Sequence, residues 1–113
     1  MNLEPVVINY LIGKLNITSV YGEVPETPVG DYIVVDKTGS DVENRITTST
    51  IAIQSYSPTK ASASELNDSV KAAMDEIIEL RAIDDCQLMS DYNFSNPEKK
   101  DHRYQAVFEI THR

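Results

Sequence analysis

The stretch that decides the fold runs from Ile46 to Leu80 and reads ITTSTIAIQSYSPTKASASELNDSVKAAMDEIIEL. Its first part, Ile46–Tyr56, is rich in β-branched residues and alternates apolar with more polar positions, which predicts a long strand. In its second part, apolar residues recur every three or four positions, which predicts an amphipathic helix. Ser57 is expected to cap this helix and Pro58 to open its first turn. A strand that runs directly into such a helix predicts a sheet covered by the helix.

The apolar stripe of the predicted helix comprises Ala63, Leu66, Val70, Ala73, Ile77 and Leu80, with Met74 and Ile78 beside it. Acidic residues occupy the other side, which is typical of a solvated helical face.

Three shorter elements are predicted before this stretch. A helix from about Glu4 to Lys14 carries a small apolar stripe, and Ile17–Val24 reads as a strand. Tyr32–Val35 is continuously apolar, which indicates a strand buried on both faces. The polar stretch Asp36–Arg45, with Gly39 near its centre, predicts a loop that reverses the chain.

Two further strands are predicted after the helix. Adjacent Asp84 and Asp85 indicate a turn, and Cys86–Phe94 follows as a strand with Leu88 and Tyr92 directed to the core. After a polar loop around Pro97, Arg103–His112 closes the chain as an alternating strand. The predicted order, αβββαββ, indicates one α+β domain over residues 1–113. Its single, mostly antiparallel or mixed sheet is packed by a short N-terminal helix and one long amphipathic helix.

Composition restricts the function classes. The chain has 113 residues and a formal net charge of −8, from 18 acidic and 10 basic residues. Basic residues form no tail or stripe, so specific nucleic-acid binding is not expected. No apolar run approaches the roughly 20 residues that span a bilayer, so no membrane partner is expected.

The residues that could carry chemistry do not form a set. His102 and His112 are ten positions apart on a strand and its entry, where exposed positions are expected. Cys86, the only cysteine, is predicted to be a buried small hydrophobic residue. Neighbouring Asp84 and Asp85 diverge and make a poor catalytic pair. The sequence therefore predicts a protein that is not an enzyme and that uses no metal or cofactor.

Two predicted loops are the candidate partner contacts. They comprise Lys37, Thr38, Gly39, Ser40 and Asp41 in the first, and Lys99, Lys100, Asp101 and His102 in the second. A solvated hairpin tip is the ordinary interpretation of each loop, and a partner-binding loop is the functional one, because binding residues are often carried by loops on a rigid scaffold.

Four stretches resemble the small tail-terminator (tail-completion) proteins of long-tailed phages. They are the strand and turn Asp31–Ser40, the strand Ile51–Tyr56, the Ala/Ser-rich helix that follows it, and the closing strand Arg103–His112. In that family an aliphatic strand ends in a Thr-Gly turn, an aromatic residue precedes the helix, and Arg-Tyr begins the last strand. Ser40 and the loop 25–30 depart from the family pattern.

The resemblance implies a structural virion protein of the tail or neck, assembled in the bacterial cytoplasm. It implies a homo-oligomeric ring, commonly a hexamer, that caps the tail tube protein and joins it to the head-tail connector or head-closure protein. The resemblance also implies that DNA passes through the ring, where an acidic lumen would not bind it. The alternatives are another neck or tail component, such as a head-closure protein or tail-tube subunit, and a protein-binding adaptor unrelated to phages.

Overall fold

A single five-stranded sheet organises the computed structural model, which describes residues 2–27, 30–95 and 102–112. The elements are α1 (Leu3–Leu15), β1 (Val20–Tyr21), β2 (Tyr32–Glu43), β3 (Ile46–Ser57), α2 (Lys60–Asp75), a 3₁₀ turn (Ile77–Glu79), β4 (Ile83–Asn93) and β5 (His102–His112). The strand order is β1-β2-β3-β5-β4. The predicted α+β class and the predicted order of elements are confirmed.

The sheet is mixed because β1 runs parallel to β2, whereas all the other neighbours are antiparallel. β1 is far shorter than the predicted strand Ile17–Val24, so that prediction is wrong in extent. Only Val20 and Tyr21 pair with β2, and the chain bends at Gly22 and Glu23 directly afterwards. The β-branched residues around them do not extend the ladder, since Pro25 removes a donor just beyond.

The reversal between two strands predicted within Asp36–Arg45 is present, but the predicted loop is wrong in extent, because β2 continues to Glu43. The reversal is confined to Asn44 and Arg45, whose φ angles are 52° and 67°. Two successive positive φ angles form the primed turn that matches the twist of a hairpin. Gly39 lies instead where the β2–β3 register shifts, between Lys37 and Gly39.

Both helices pack on one face of the sheet, where the main core lies. From the helices this core receives Leu3, Val7, Tyr10, Leu11, Val70, Ala73 and Met74, and from the three central strands Ile33, Val35, Ile51, Ile53, Ala106, Phe108 and Ile110. The second cluster, Tyr32, Val34 and Tyr56, occupies the opposite face. Burial of Tyr32–Val35 on both faces is thereby confirmed.

The long helix begins and ends differently from the prediction. Thr59, not Ser57, is its cap: the Thr59 Oγ1 accepts the Ser62 N–H at 3.1 Å. Ser57 is the last residue of β3 and donates to Asp31 at 2.6 Å. After Asp75 the helix gives way to the 3₁₀ turn, which leaves Ile78 exposed instead of in the predicted stripe.

β4 is an edge strand, and this overturns two predictions. Leu88 and Tyr92 were expected in the core but are exposed. Leu88 faces the helices, but α2 packs mainly over β3 and β5 and covers little of β4. The register shift between Leu88 and Ser90 places Tyr92 on the opposite face, which carries no helix. Asp84 and Asp85 do not form a turn; they lie inside β4, where its register against β5 shifts between Ile83 and Asp85.

The two helices are joined by one buried hydrogen bond. The hydroxyl of Tyr10 in α1 donates to the carbonyl oxygen of Ala73 in α2 at 2.7 Å. Burial is the main cause that raises the pKa of this phenol above its ordinary value.

We expect Tyr10→Phe to lower the free energy of unfolding by about 1 kcal/mol, because it removes this bond and retains the ring. Urea unfolding followed by circular dichroism measures the change. Tyr21→Phe is the matched control, since the Tyr21 ring is exposed and its hydroxyl makes no hydrogen bond in the described part of the chain. Equal effects of the two substitutions would contradict the prediction.

Candidate interaction surface

An aromatic band crosses the sheet face that carries no helix. We use this name for Tyr21, Tyr32, Tyr56, Arg103, Phe94 and Tyr92, in their order across the sheet. The Tyr32 and Tyr56 rings are stacked, with centroids 4.4 Å apart and planes inclined by 7°. The Arg103 guanidinium lies over both the Tyr56 ring and the Phe94 ring, 5.5 Å and 4.5 Å from their centroids.

The two ends of the aromatic band reach the two edges of the sheet. At the β1 edge the Tyr21 ring is 6.5 Å from the Tyr32 ring, and at the β4 edge the Tyr92 and Phe94 rings meet edge to face at 5.8 Å. Offset, edge-to-face and cation–π contacts of this kind each contribute about 0.5–1.5 kcal/mol beyond burial. The band therefore forms a continuous series of ring and guanidinium contacts that runs from one edge of the sheet to the other.

A chain of hydrogen bonds lies beside the band. Arg103 donates to the Tyr56 hydroxyl at 2.8 Å, and that hydroxyl donates to Gln54 Oε1 at 2.8 Å. Gln54 Nε2 donates to Gln105 Oε1 at 2.8 Å, and Gln105 in turn donates to the Tyr92 hydroxyl. Each amide uses both its donor and its acceptor, so the bonds are aligned in one direction across β3, β5 and β4.

On the helix-covered face, a polar contact fixes α2 to the edge strand. Asp91 of β4 accepts from Asn67 Nδ2 and from Lys71 Nζ, both at 2.6 Å. Burial opposes ionisation of Asp91, but the hydrogen bonds from Lys71 and Asn67 outweigh it and lower the pKa of this carboxyl. The hydrogen bond that Lys71 donates to Asp91 is also the main cause that raises the pKa of Lys71.

Below this contact, a groove of about 380 Å³ separates α2 from β4. Its walls include Met74 and Asp75 of the helix and Cys86, Leu88 and Phe108 of the sheet. Burial raises the pKa of the Cys86 thiol to about 11, and nearby Asp85 and Asp75 add to the rise.

The comparisons with known proteins concern the fold. No family model matches the chain, and no curated protein matches it. Among solved structures, 16 chains are similar. One is a chain of the virion of a native gene transfer agent particle, with a TM-score of 0.56 and 16% sequence identity over 97% of this chain and 93% of that chain. At this identity the likeness shows a shared fold.

The predicted contact residues fall in different places. Lys37, Thr38, Gly39, Ser40 and Asp41 lie in β2 and not in a loop, beyond the two positions at which β1 pairs. The Lys37 N–H donates to Glu4 Oε2 of α1 at 3.1 Å, so a carboxylate covers this point of the strand. His102 begins β5, and Lys99, Lys100 and Asp101 lie outside the described residues. The role of both segments in binding stays a prediction.

The two histidines and the cysteine do not converge. His112 is buried, contrary to the exposed position expected for it, because the end of β5 pairs with both β3 and β4. Its Nε2 shares a hydrogen bond of 2.8 Å with the Ser49 hydroxyl. Cys86 is half-buried, which is less than predicted. Residues 2–27, 30–95 and 102–112 contain no cluster of three or more His, Cys, Asp or Glu side chains that could hold a metal ion.

None of the described helices is long and apolar enough to cross a membrane.

Sequence reasoning missed the aromatic band, although its members were visible. Tyr56 before the helix and Arg103 at the start of the last strand were singled out as fold-bearing positions. Their contact depends on the register that places Tyr56 opposite Arg103 and Tyr32 opposite Tyr56. A row of aromatic residues near the ends of three predicted strands was the only available signal.

We expect Asp91→Asn to reduce stability at neutral pH by about 1–2 kcal/mol, because it removes a charge that Lys71 and Asn67 bind. The folded-state pKa of Asp91 is lowered, so its contribution is present above the unfolded pKa and is lost as pH falls through the folded pKa. Urea unfolding of both proteins from pH 7 down into the acid range measures this. The difference between them should shrink toward acid pH. Asp41→Asn, at an exposed position of β2, is the control.

We expect the Cys86 thiol to react slowly with iodoacetamide. With its pKa raised to about 11, the thiolate fraction at pH 8 is far below that of a free thiol. Alkylation of the folded protein should be about a hundredfold slower than of the protein unfolded in urea. Mass spectrometry of quenched samples gives both rates, and equal rates would show that the thiol is fully accessible.

Proposed function

We propose that this chain, folded as a single α+β domain, is a structural virion protein that acts as a tail terminator. It forms a homo-oligomeric ring, most simply a hexamer, on the end of a tail tube and joins that tube to the head-tail connector or head-closure protein. Catalysis has no part in this role. The protein is assembled in the bacterial cytoplasm and resides in the tail or neck of the particle.

The observation that carries the proposal is the fold match to a chain of a gene transfer agent virion, which extends over 97% of this chain. It agrees with the resemblance of four sequence stretches to tail terminators. Arg103-Tyr104 lies at the start of β5, as the family pattern has it, whereas Thr38-Gly39 lies inside β2 and not in a turn.

The surface of the chain also suits assembly more than small-molecule chemistry. The sheet has two edges without a further strand among the described residues, and an unpaired edge is a site for contact with another chain. The net charge of −8 is compatible with a ring through which DNA moves without binding. The acidic lumen remains part of the proposal.

Tail tubes purified from particles that lack the terminator provide the test. We expect the protein to form single rings in negative-stain electron micrographs and to bind only at tube ends, because a terminator stops polymerisation. Native mass spectrometry of the rings gives the number of copies. Polymerisation of the protein into long tubes would instead identify a tube subunit. Binding to the head connector without binding to tubes would identify a head-closure protein.

A further inference from the structure

The exposed apolar side chains are concentrated on the two opposite edges of the sheet. Nine large apolar side chains are exposed among the described residues, and seven of them belong to these edges. Leu88, Met89, Tyr92 and Phe94 lie on β4 or directly after it. The other three are Tyr21 and Val24, in and after β1, and Val42, in the part of β2 beyond β1.

The register places two of these side chains at the ends of one row. Tyr21 is paired with Val34, Val34 with Gln54, Gln54 with Gln105, and Gln105 with Tyr92. The row therefore crosses all five strands, and an exposed tyrosine ends it at each edge. Two copies placed side by side in the same orientation bring Tyr92 of one copy level with Tyr21 of the next.

The strand directions suit the same arrangement. β1 and β2 are parallel, and three antiparallel pairings separate β2 from β4, so β4 runs opposite to β1 and β2. A second copy that continues the sheet beside β4 thus presents an antiparallel neighbour. A contact between two different surfaces of identical copies is heterologous, and it closes into a ring when the rotation between the copies allows.

We propose that the β4 edge of one copy packs head to tail against the β1–β2 edge of a second copy, with the closest contact at the tyrosine end of both edges. This inference deepens the proposed function, because it assigns the surfaces that would build the ring. At the other end of the edges, a second row of paired residues runs from Asp85 on β4 through Thr111 and Thr48 to Asp41 on β2. Like charges that face each other there oppose close approach, so the contact is concentrated around the aromatic side chains.

Three lysine substitutions of matched exposure test the inference. Met89→Lys places a charge on the β4 edge and Val24→Lys places one beside β1, at side chains that are 57% and 52% exposed. Ile78→Lys is the control, because Ile78 is also 57% exposed but belongs to neither edge. We expect each edge variant to weaken self-association at least about tenfold, which corresponds to ~1.4 kcal/mol. The control should associate as the unchanged protein does.

Light scattering over a concentration series measures association, and circular dichroism shows whether each variant is folded. A mixture of the two edge variants should form pairs of one copy of each, because each retains one intact edge. Larger assemblies should stay rare in the mixture. The inference is overturned if either edge variant assembles normally, if Ile78→Lys is equally defective, or if the unchanged protein stays monomeric at millimolar concentration.

Cysteine cross-linking tests the row directly, in chains in which Cys86 is replaced by alanine. Tyr21 and Tyr92 are four strand spacings apart, about 19 Å, which is too far for a disulfide within one chain. We expect a mixture of Tyr21→Cys and Tyr92→Cys chains to give mixed dimers on oxidation, whereas either variant alone should stay uncross-linked. Dimers of one variant alone would indicate a symmetric contact and overturn the inference.

These results separate the inference from the function on which it rests. Rings that form on tube ends but ignore the edge substitutions contradict the assigned surfaces and leave the terminator role standing. Long tubes whose assembly depends on both edges contradict the terminator role and support the surfaces.

Discussion

Both helices of this protein lie on the same face of its sheet, and most of its other features follow from that constraint. On the helix-covered face, aliphatic side chains are buried between the helix layer and the sheet and form the main core. The opposite face has no second layer, yet Tyr32, Val34 and Tyr56 are buried there. They are buried because the Tyr32 and Tyr56 rings stack, the Arg103 guanidinium covers the Tyr56 ring, and the glutamines fill the adjoining positions. Such a face keeps its polar groups bonded without a partner element.

The same constraint determines what is exposed. α2 packs over the two central strands β3 and β5, so β4 extends beyond the helical cover. Asn67 and Lys71 compensate in part by binding Asp91, which ties the uncovered strand to the helix through polar atoms. An edge attached in this way holds its shape while its apolar side chains remain accessible. That combination favours association with little rearrangement, since the contact surface is ordered beforehand.

Elements with strong local periodicity were predicted correctly from the sequence. Positions whose burial depends on how the strands pair were predicted wrongly. The order αβββαββ, the strand from Ile46 and the closing strand were correct because alternation and helical spacing are local properties. Leu88 and Tyr92 were assigned to the core because their spacing is that of a buried strand face. The strand order shows that β4 is an edge, and the register shift between Leu88 and Ser90 places Tyr92 on the other face; neither can be read from the spacing. The stretch 36–43 was assigned to a loop for its polarity, but a strand exposed on both faces is polar as well, and cross-strand pairing keeps it extended. The aromatic band required three registers at once, and no local pattern contains that information.

The distribution of reactive and apolar groups argues for a protein that acts through its edges. The side chains that could take part in a reaction are far apart or already engaged in other contacts. The His112 imidazole shares a hydrogen bond with Ser49, the Cys86 thiol is held protonated, and Asp91 is bound by a lysine and an amide. The apolar groups left exposed lie mostly on two edges of opposite strand direction. Proteins often place charged residues on exposed sheet edges to prevent pairing, and this chain has a net charge of −8. β4 does carry three aspartates and two register shifts against β5, and both features limit pairing with an unrelated strand. The aspartates lie toward the two ends of β4, however, so Leu88 and Met89 in its middle remain open to the edge of a second copy.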